Sequence, residues 1–229
     1  MTTIGLRDVP ALTADQMREV DRAMVEDLHI ELVQMMEKAG RNLAELAIAR
    51  FAPASITVLA GPGGNGGGGL VAARHLLNRG RTVSVVLSAP DSLTPVPAHQ
   101  ADILRRMGVV IADNAAPADL ILDSLIGYSL RGDPTGRAAE LIEWANEQPA
   151  PILALDAPSG LDVTTGATGT PHIVATATLT LALPKAGLVG APAAGELYLG
   201  DISVPATVYR RLGVTTPQLF HDDVVIRLS

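Results

Sequence analysis

Apolar residues recur along this chain in two rhythms. From Thr13 to Arg50 the spacing is helical, with Met17, Val20, Met24 and Leu28 followed by Leu32, Met35, Met36, Ala39, Leu43, Leu46 and Ala47. Thr13 and Gln16 make a Thr-x-x-Gln start signal. A break near Leu28 to Ile30 predicts two helices instead of one. The methionine-rich stripe reads as core or subunit interface, not as a cofactor box. Beyond this the rhythm shortens to β-branched runs: "SITVLA", "TVSVVLS", "GVVIAD", "ADLILDSLIG" and "PILALDAPSG". Between them lie "GLVAARHLLNRG", "PAHQADILRRMG" and "TGRAAELIEWANEQ", each with helical spacing. Such alternation predicts an α/β fold whose mostly parallel sheet is covered on both faces. "TATLTLALP" and "GELYLGDISVP" add later strands, "PATVYRRLG" a short helix and "DDVVIRLS" a last edge strand. No repeat or linker interrupts the pattern, so residues 1–229 are expected to form one domain.

Composition narrows the picture. The chain is 48% hydrophobic and 18% charged, enough to bury a sizeable core, and aromatics are so few (3%) that Ala, Val, Leu and Ile must build it. Seventeen basic residues stand against 24 acidic ones, a net charge of −7 that repels nucleic-acid backbones and anionic membranes. No basic block reverses that field locally, and no stretch reaches the roughly 18 apolar residues of a membrane span. Cysteine is absent, which rules out disulfides and thiolate chemistry. With no signal-like apolar core near the N-terminus, the expectation is a soluble cytoplasmic protein.

The first β-branched run opens into "GPGGNGGGG", where seven of nine residues are glycine and Asn65 carries the one hydrogen-bonding side chain. A bare strand-to-helix turn lets main chain approach a ligand, and its N–H groups cradle anions. Tight strand–helix packing is the plainer use, but so dense a run favours ligand binding. It lacks the Lys-Ser/Thr of a P-loop, which disfavours ordinary NTP hydrolysis. Two more strand ends carry polar residues: Asp123 in "LILDSLIGYSLRGDPTG", and Asp156, Ser159 and Asp162 in "ALDAPSGLDVTTG". A parallel sheet gathers its strand ends on one rim. Asn65, Asp123, Asp156 and Ser159 would offer hard oxygens there, suited to a hard cation or to ribose hydroxyls. The alternative is that the two aspartates only cap their own turns. Lys185 reads either as a general acid or phosphate-orienting group, or as a solvated lysine at a strand end. His75 reads as helix surface.

These stretches resemble a known family. "GPGGNGGGGLVAARHL" is similar to Gly-x-Gly-Asn-Asn-Gly-Gly-Asp-Gly-Leu-Val-x-Ala-Arg-x-Leu, "DSLIGYSLRG" to Asp-Ala-Leu-Phe-Gly-Thr-Gly-Leu-Arg-Gly, and "ALDAPSGLDVTTG" to Asp-Ile-Pro-Ser-Gly-Leu-Asp-x-x-Thr-Gly. "MREVDRAMVEDL" and "LTLALPKAGLVG" match the family's opening helices and closing strands. The chain is thereby identified as a member of the YjeF N-terminal domain family, the NAD(P)H-hydrate epimerases. The resemblance implies a Rossmann-like three-layer α/β/α sandwich, often a homodimer, for which the methionine-rich helices are a candidate face. It implies interconversion of the two epimers of hydrated NADH or NADPH. It also implies a potassium ion held by Asn65, Asp123 and Ser159. The dinucleotide would meet Gly64, Asn65, Gly66, Gly67 and Gly68, then Gly127, Tyr128, Ser129, Leu130, Arg131, Gly132 and Asp133, and Asp156. Asp156 and Lys185 are the candidate catalytic groups. The sequence departs from the pattern at three places: Gly64 replaces an Asn, Gly68 replaces the signature Asp, and Tyr128-Ser129 replaces Thr-Gly. If position 68 removes a carboxylate from the site, the alternative is a non-catalytic nucleotide-binding or dimeric scaffold module.

Overall fold

Thr13 starts the first helix as its spacing predicts. Its hydroxyl accepts from the Gln16 N–H at 3.3 Å, while the Gln16 side chain accepts from the Thr13 N–H at 2.9 Å. The computed structural model describes residues 1–130 and 132–229. Helix α1 (Ala14–Arg22) runs into a π-helical turn, Ala23–Asp27, and the chain breaks at His29, whose φ is 55°. Helix α2 (Leu32–Phe51) then follows as the second of the two predicted helices. Beyond it come β2 (Ser55–Ala60), α3 (Gly64–Asn78), β3 (Thr82–Leu87), α4 (Pro95–Arg106), β4 (Ile111–Ala112), β5 (Leu120–Ser124), α5 (Gly136–Glu147) and β6 (Ile152–Leu155). The last part holds β7 (Ala177–Leu181), β8 (Glu196–Gly200), α6 (Ala206–Arg211) and β9 (Val225–Leu228), and a two-residue β1 (Thr3–Ile4) stands near the N-terminus.

Among the described residues the strands form one sheet of order β1-β9-β8-β7-β6-β5-β2-β3-β4. Strands β2 to β8 are parallel to their neighbours, and β9 runs antiparallel to β8. β9 is not the predicted edge: Thr3 and Ile4 pair with Arg227 and Leu228 and cover it. That two-residue strand is too short to leave a periodic signal.

The period-2 alternation of buried strands sorts their side chains onto two faces. Val58, Ala60, Leu120, Leu122, Leu153 and Leu155 join the core under α1 to α4 and α6. Leu59, Ile121, Ile152 and Ala154 face the other way and pack with Leu141, Ile142 and Ala145 of α5. The sandwich is lopsided, with most helices on one face. Met17, Met24, Met35 and Met36 all lie inside the chain's own core, so no methionine of the first two helices remains for a subunit contact. Among the described residues no helix is long and apolar enough to cross a membrane.

The glycine turn divides into two parts. Gly66 and Gly69 are packing positions, since a Cβ would strike the Gly61 carbonyl oxygen in the first case and the Ser124 hydroxyl in the second. Around Gly64 there is room, with Leu32 and Met36 no closer than 3.9 Å to the place a methyl group would take. Gly66→Ala should therefore lower stability by about 1–3 kcal/mol, because backbone cannot step aside. Gly64→Ala should stay within about 0.5 kcal/mol of the parent. Urea midpoints of the two variants check this contrast.

Candidate functional site

Strand β2 leads through α3 to β3 on one side, and β5 joins β2 on the other. The direction of winding thus reverses between β2 and β5, where open parallel sheets hold ligands. A cavity of about 380 Å³ lies at that point. Pro62, Gly63, Gly64 and Asn65 form one side, and Leu125 to Ser129, following β5, form another. Asp156, Leu181 and Ile202 close it from the later strands, and Met17, Asp21, Leu32 and Met36 roof it from α1 and α2. Helix α3 begins there without a side-chain cap. Its first N–H groups and the positive end of its dipole are free for an anion.

Asp123 is the penultimate residue of β5 and is fully buried. It does not line the cavity; it braces the loops that do. The Ser159 N–H and hydroxyl donate to its two oxygens at 2.8 and 2.6 Å, and the Leu125 N–H donates at 3.2 Å. The Ser159 oxygen in turn accepts from the Ile126 N–H at 2.9 Å. Burial pushes the Asp123 pKa up to about 6, against the lowering effect of those three donors. Asp123 caps its own turn through Leu125, as the plainer reading expects, and it also binds the loop after β6 through Ser159.

Asp156 follows β6 with a φ of 67°, in the left-handed region that non-glycine residues seldom occupy. The Ala157 N–H donates to the Leu155 carbonyl across it at 2.8 Å. One Asp156 oxygen accepts from Lys185, and the other accepts from the Tyr128 N–H at 3.3 Å. Lys185 is fully buried and also donates to the Leu181 carbonyl at 2.9 Å and to the Thr180 hydroxyl at 3.3 Å. Its three protons are all engaged, and it does not line the cavity. The solvated reading of Lys185 is corrected: it is the buried partner of Asp156.

Tyr128 reaches across the cavity wall to α1, where its hydroxyl donates to Asp21. Burial raises the pKa of both groups, and for Tyr128 the nearby Asp21 charge raises it further. Gly127 lies where Asn65 and Asp156 meet: a Cβ on it would stand 3.2 Å from the Asn65 Cγ and 3.3 Å from the Asp156 Oδ2. Any side chain there would press against both.

Of the residues predicted for a ligand, Gly64, Asn65, Gly127, Tyr128, Ser129 and Asp156 line the cavity. Gly66, Gly67 and Gly68 are buried within the first turns of α3. A Cβ at Gly68 would stand 2.7 Å from the Leu155 Cδ2 and 3.8 Å from both the Ala39 Cβ and the Met36 Sδ. Leu130 and Asp133 line a neighbouring hollow of about 350 Å³ that shares Pro62 and Ser129 with the main cavity. Gly132 is exposed, with φ 69°. Arg131 lies outside the described residues. His75 bonds Glu37 of α2 at 2.9 Å and does not line the cavity. Sequence reasoning missed Asp21 and the roofing role of Met17 and Met36. A signal was there, because Asp21 stands four residues after Met17 and interrupts an apolar face with a charge.

The family profile described as "YjeF-related protein N-terminus" matches residues 32–187. The chain belongs to this family. It is 45% identical over 221 residues to a protein of Dehalogenimonas lykanthroporepellens named NAD(P)H-hydrate epimerase, covering 93% of this chain and 90% of that one. A protein of the same name from Rhodopirellula baltica is 36% identical, with 90% and 89% covered. A bifunctional NAD(P)H-hydrate repair enzyme of Salinibacter ruber is 36% identical over 88% of this chain and 42% of its own length. In fold the chain resembles the crystal structure of the yeast protein ynu0, with a TM-score of 0.86 at 23% identity, covering 96% of this chain and all of that one.

Within this family frame, Asp123 offers a stability test. Its folded pKa lies above the ordinary 3.8, so the folded state favours the protonated carboxyl. That contribution is complete below about pH 4 and is lost as pH rises through about 6. Relative to Asp123→Asn, the parent should lose about 3 kcal/mol between those limits, measured by urea unfolding in potassium-free buffer.

Proposed function

We propose that this chain is an NAD(P)H-hydrate epimerase. The observation that carries the reading is the convergence, at the switch point, of an uncapped helix start, the Asn65 amide and the Asp156–Lys185 pair. The 45% identical relative bearing that name supports it. Adding water to an enamine places a hydroxyl on the carbon bonded to nitrogen, so the hydrated ring carries an N–C–OH centre. Epimerisation breaks the C–O bond as the hydroxyl takes a proton and leaves as water. The nitrogen lone pair then forms a C=N⁺ bond, and water adds to the opposite face and gives up a proton. The chain must therefore stabilise a transient cation and supply one recycling proton.

The parts of the cavity suit these tasks. The α3 start would take the diphosphate, whose charge it complements. The apolar roof from α1 and α2 would lie on the ring and hold bulk water away. The Asp156 carboxylate, set in place by Lys185 and a left-handed backbone, faces the cavity where cationic charge develops. Gly68 stands outside the lining. Its missing carboxylate leaves Asp21 and Asp156 in the cavity, which supports the catalytic reading over a non-catalytic module.

A potassium ion fits the donors beside this cavity. The Asn65 Nδ2 is buried with no hydrogen-bond partner. A half-turn of that amide would put its oxygen in the same place. Among the described residues no cation pairs with Asp123. Asn65, Asp123 and Ser159 would hold the ion, whose charge would neutralise the buried carboxylate and tie three loops together. We also propose that the enzyme works as a homodimer through a face other than its methionines.

Separated epimers of hydrated NADH, followed by chromatography, test the reading. Interconversion should exceed the protein-free rate, and equal rates with folded protein would leave only a binding module. Gly68→Asp probes the departure in the signature. Forcing a carboxylate against Leu155 should cost about 1–3 kcal/mol of stability without raising the rate.

A further inference from the structure

Among the described residues, three titratable side chains line the cavity: Asp21, Tyr128 and Asp156. Their partners differ. Asp156 is paired with the buried Lys185 and accepts from the Tyr128 main chain. Among the described residues Asp21 bonds a neutral phenol, the Tyr128 hydroxyl, and no cation. The two carboxyls are close enough to feel each other's charge, and the buried ammonium sits on the Asp156 side. When two carboxyls share one site, the one with the cation stays a carboxylate and the one without is the easier to protonate. The geometry thus sets the two carboxyls apart: an ammonium holds Asp156 and a phenol holds Asp21.

We propose that Asp21 is the catalytic residue that carries the proton in the epimerisation and that Tyr128 is its positioning residue. This rests on the epimerase reading given above. Asp21 gives its proton to the ring hydroxyl as the C–O bond breaks and water leaves. The nitrogen lone pair closes the C=N⁺ bond, and the resulting cation is stabilised by the Asp156 carboxylate. When water adds to the other face, the proton it sheds returns to Asp21, so atoms and charge balance over one turnover. The Tyr128 hydroxyl fixes the Asp21 oxygen it bonds and leaves the other for the substrate. The groups facing Asp21 are Tyr128, Asp156 with Lys185 behind it, and Tyr209 from α6. Burial raises its pKa most, the Asp156 charge adds to this, and the phenol donor and Lys185 oppose it.

Asp21→Asn and Tyr128→Phe test the assignment in the full chain. Asp21→Asn should lower kcat by about 10²- to 10⁴-fold. KM and the thermal shift given by NADP should stay near those of the parent. The acid form of Asp21 is the active one, so parental kcat should fall as pH rises through its pKa. Tyr128→Phe removes a donor that favours the ionised form, so that limb should move to higher pH, which a merely structural role would not cause. Asp21→Asn with parental kcat, or an unmoved limb in Tyr128→Phe, would overturn the assignment while leaving the epimerase reading intact. A parent chain without epimerisation would overturn both.

Discussion

The site depends on a carboxylate taken out of water. Asp123 sits at the end of a central strand, fully buried, and spends both oxygens on the backbone and hydroxyl of two loops. A charge so placed is costly by several kcal/mol, and three donors recover only part of it, which is why its pKa is raised. What the fold gains is a fixed relation between the loop after β5 and the loop after β6. Gly127 and Tyr128 belong to the first, and Asp156 to the second. Without the brace the two halves of the cavity wall would move independently, and the 3.3 Å approach of the Tyr128 N–H to Asp156 would have no support.

Three carboxyls cluster around one hollow, and each is satisfied differently. Asp123 has backbone and hydroxyl donors, Asp156 has a buried ammonium, and Asp21 has a phenol. These settings separate their chemistry in the way that environment separates like groups in many enzymes. Asp123 is structural, a brace between two loops. Asp156 is fixed on the cavity wall by its bond to Lys185. Asp21 has no cationic partner among the described residues, and burial raises its pKa. The chain's overall charge of −7 does not decide the sign of the cavity. The uncapped start of α3 supplies a local positive potential at the cavity, while the Lys185 charge is spent on Asp156.

Much of this was legible in the sequence. The alternation of apolar runs gave the parallel sheet and the two opening helices, because buried strands and amphipathic helices must carry those periods. The polar residues at strand ends marked the rim, because nothing in a parallel sheet's core explains them. The partner of Lys185 was not legible, since a lysine's burial depends on the strand beside it and not on its neighbours in sequence. Nor was Asp21, whose helix lies far along the chain from the glycine turn and meets the cavity only after the sheet has folded. The β1 strand escaped for a simpler reason: two residues carry no period.

The glycine run shows where residue type alone misleads. Read as one feature it is a phosphate cradle or a packing device. In the fold it divides, with Gly63 and Gly64 facing the cavity and Gly66 to Gly69 buried on the packed side of the helix's first turns. Two of the three departures from the family signature, at positions 68 and 128, differ in the same way, one packed away from the cavity and one on its wall. Position 68 faces Leu155, Ala39 and Met36, so its glycine alters packing first and chemistry only through it. Position 128 is on the wall, and the residue that replaces a threonine there spans the gap to α1. A threonine hydroxyl, one carbon from the main chain, cannot make that reach. The Asp21 environment is therefore set by Tyr128, and of these two departures the one that reaches the cavity is the one that put a longer side chain on its wall.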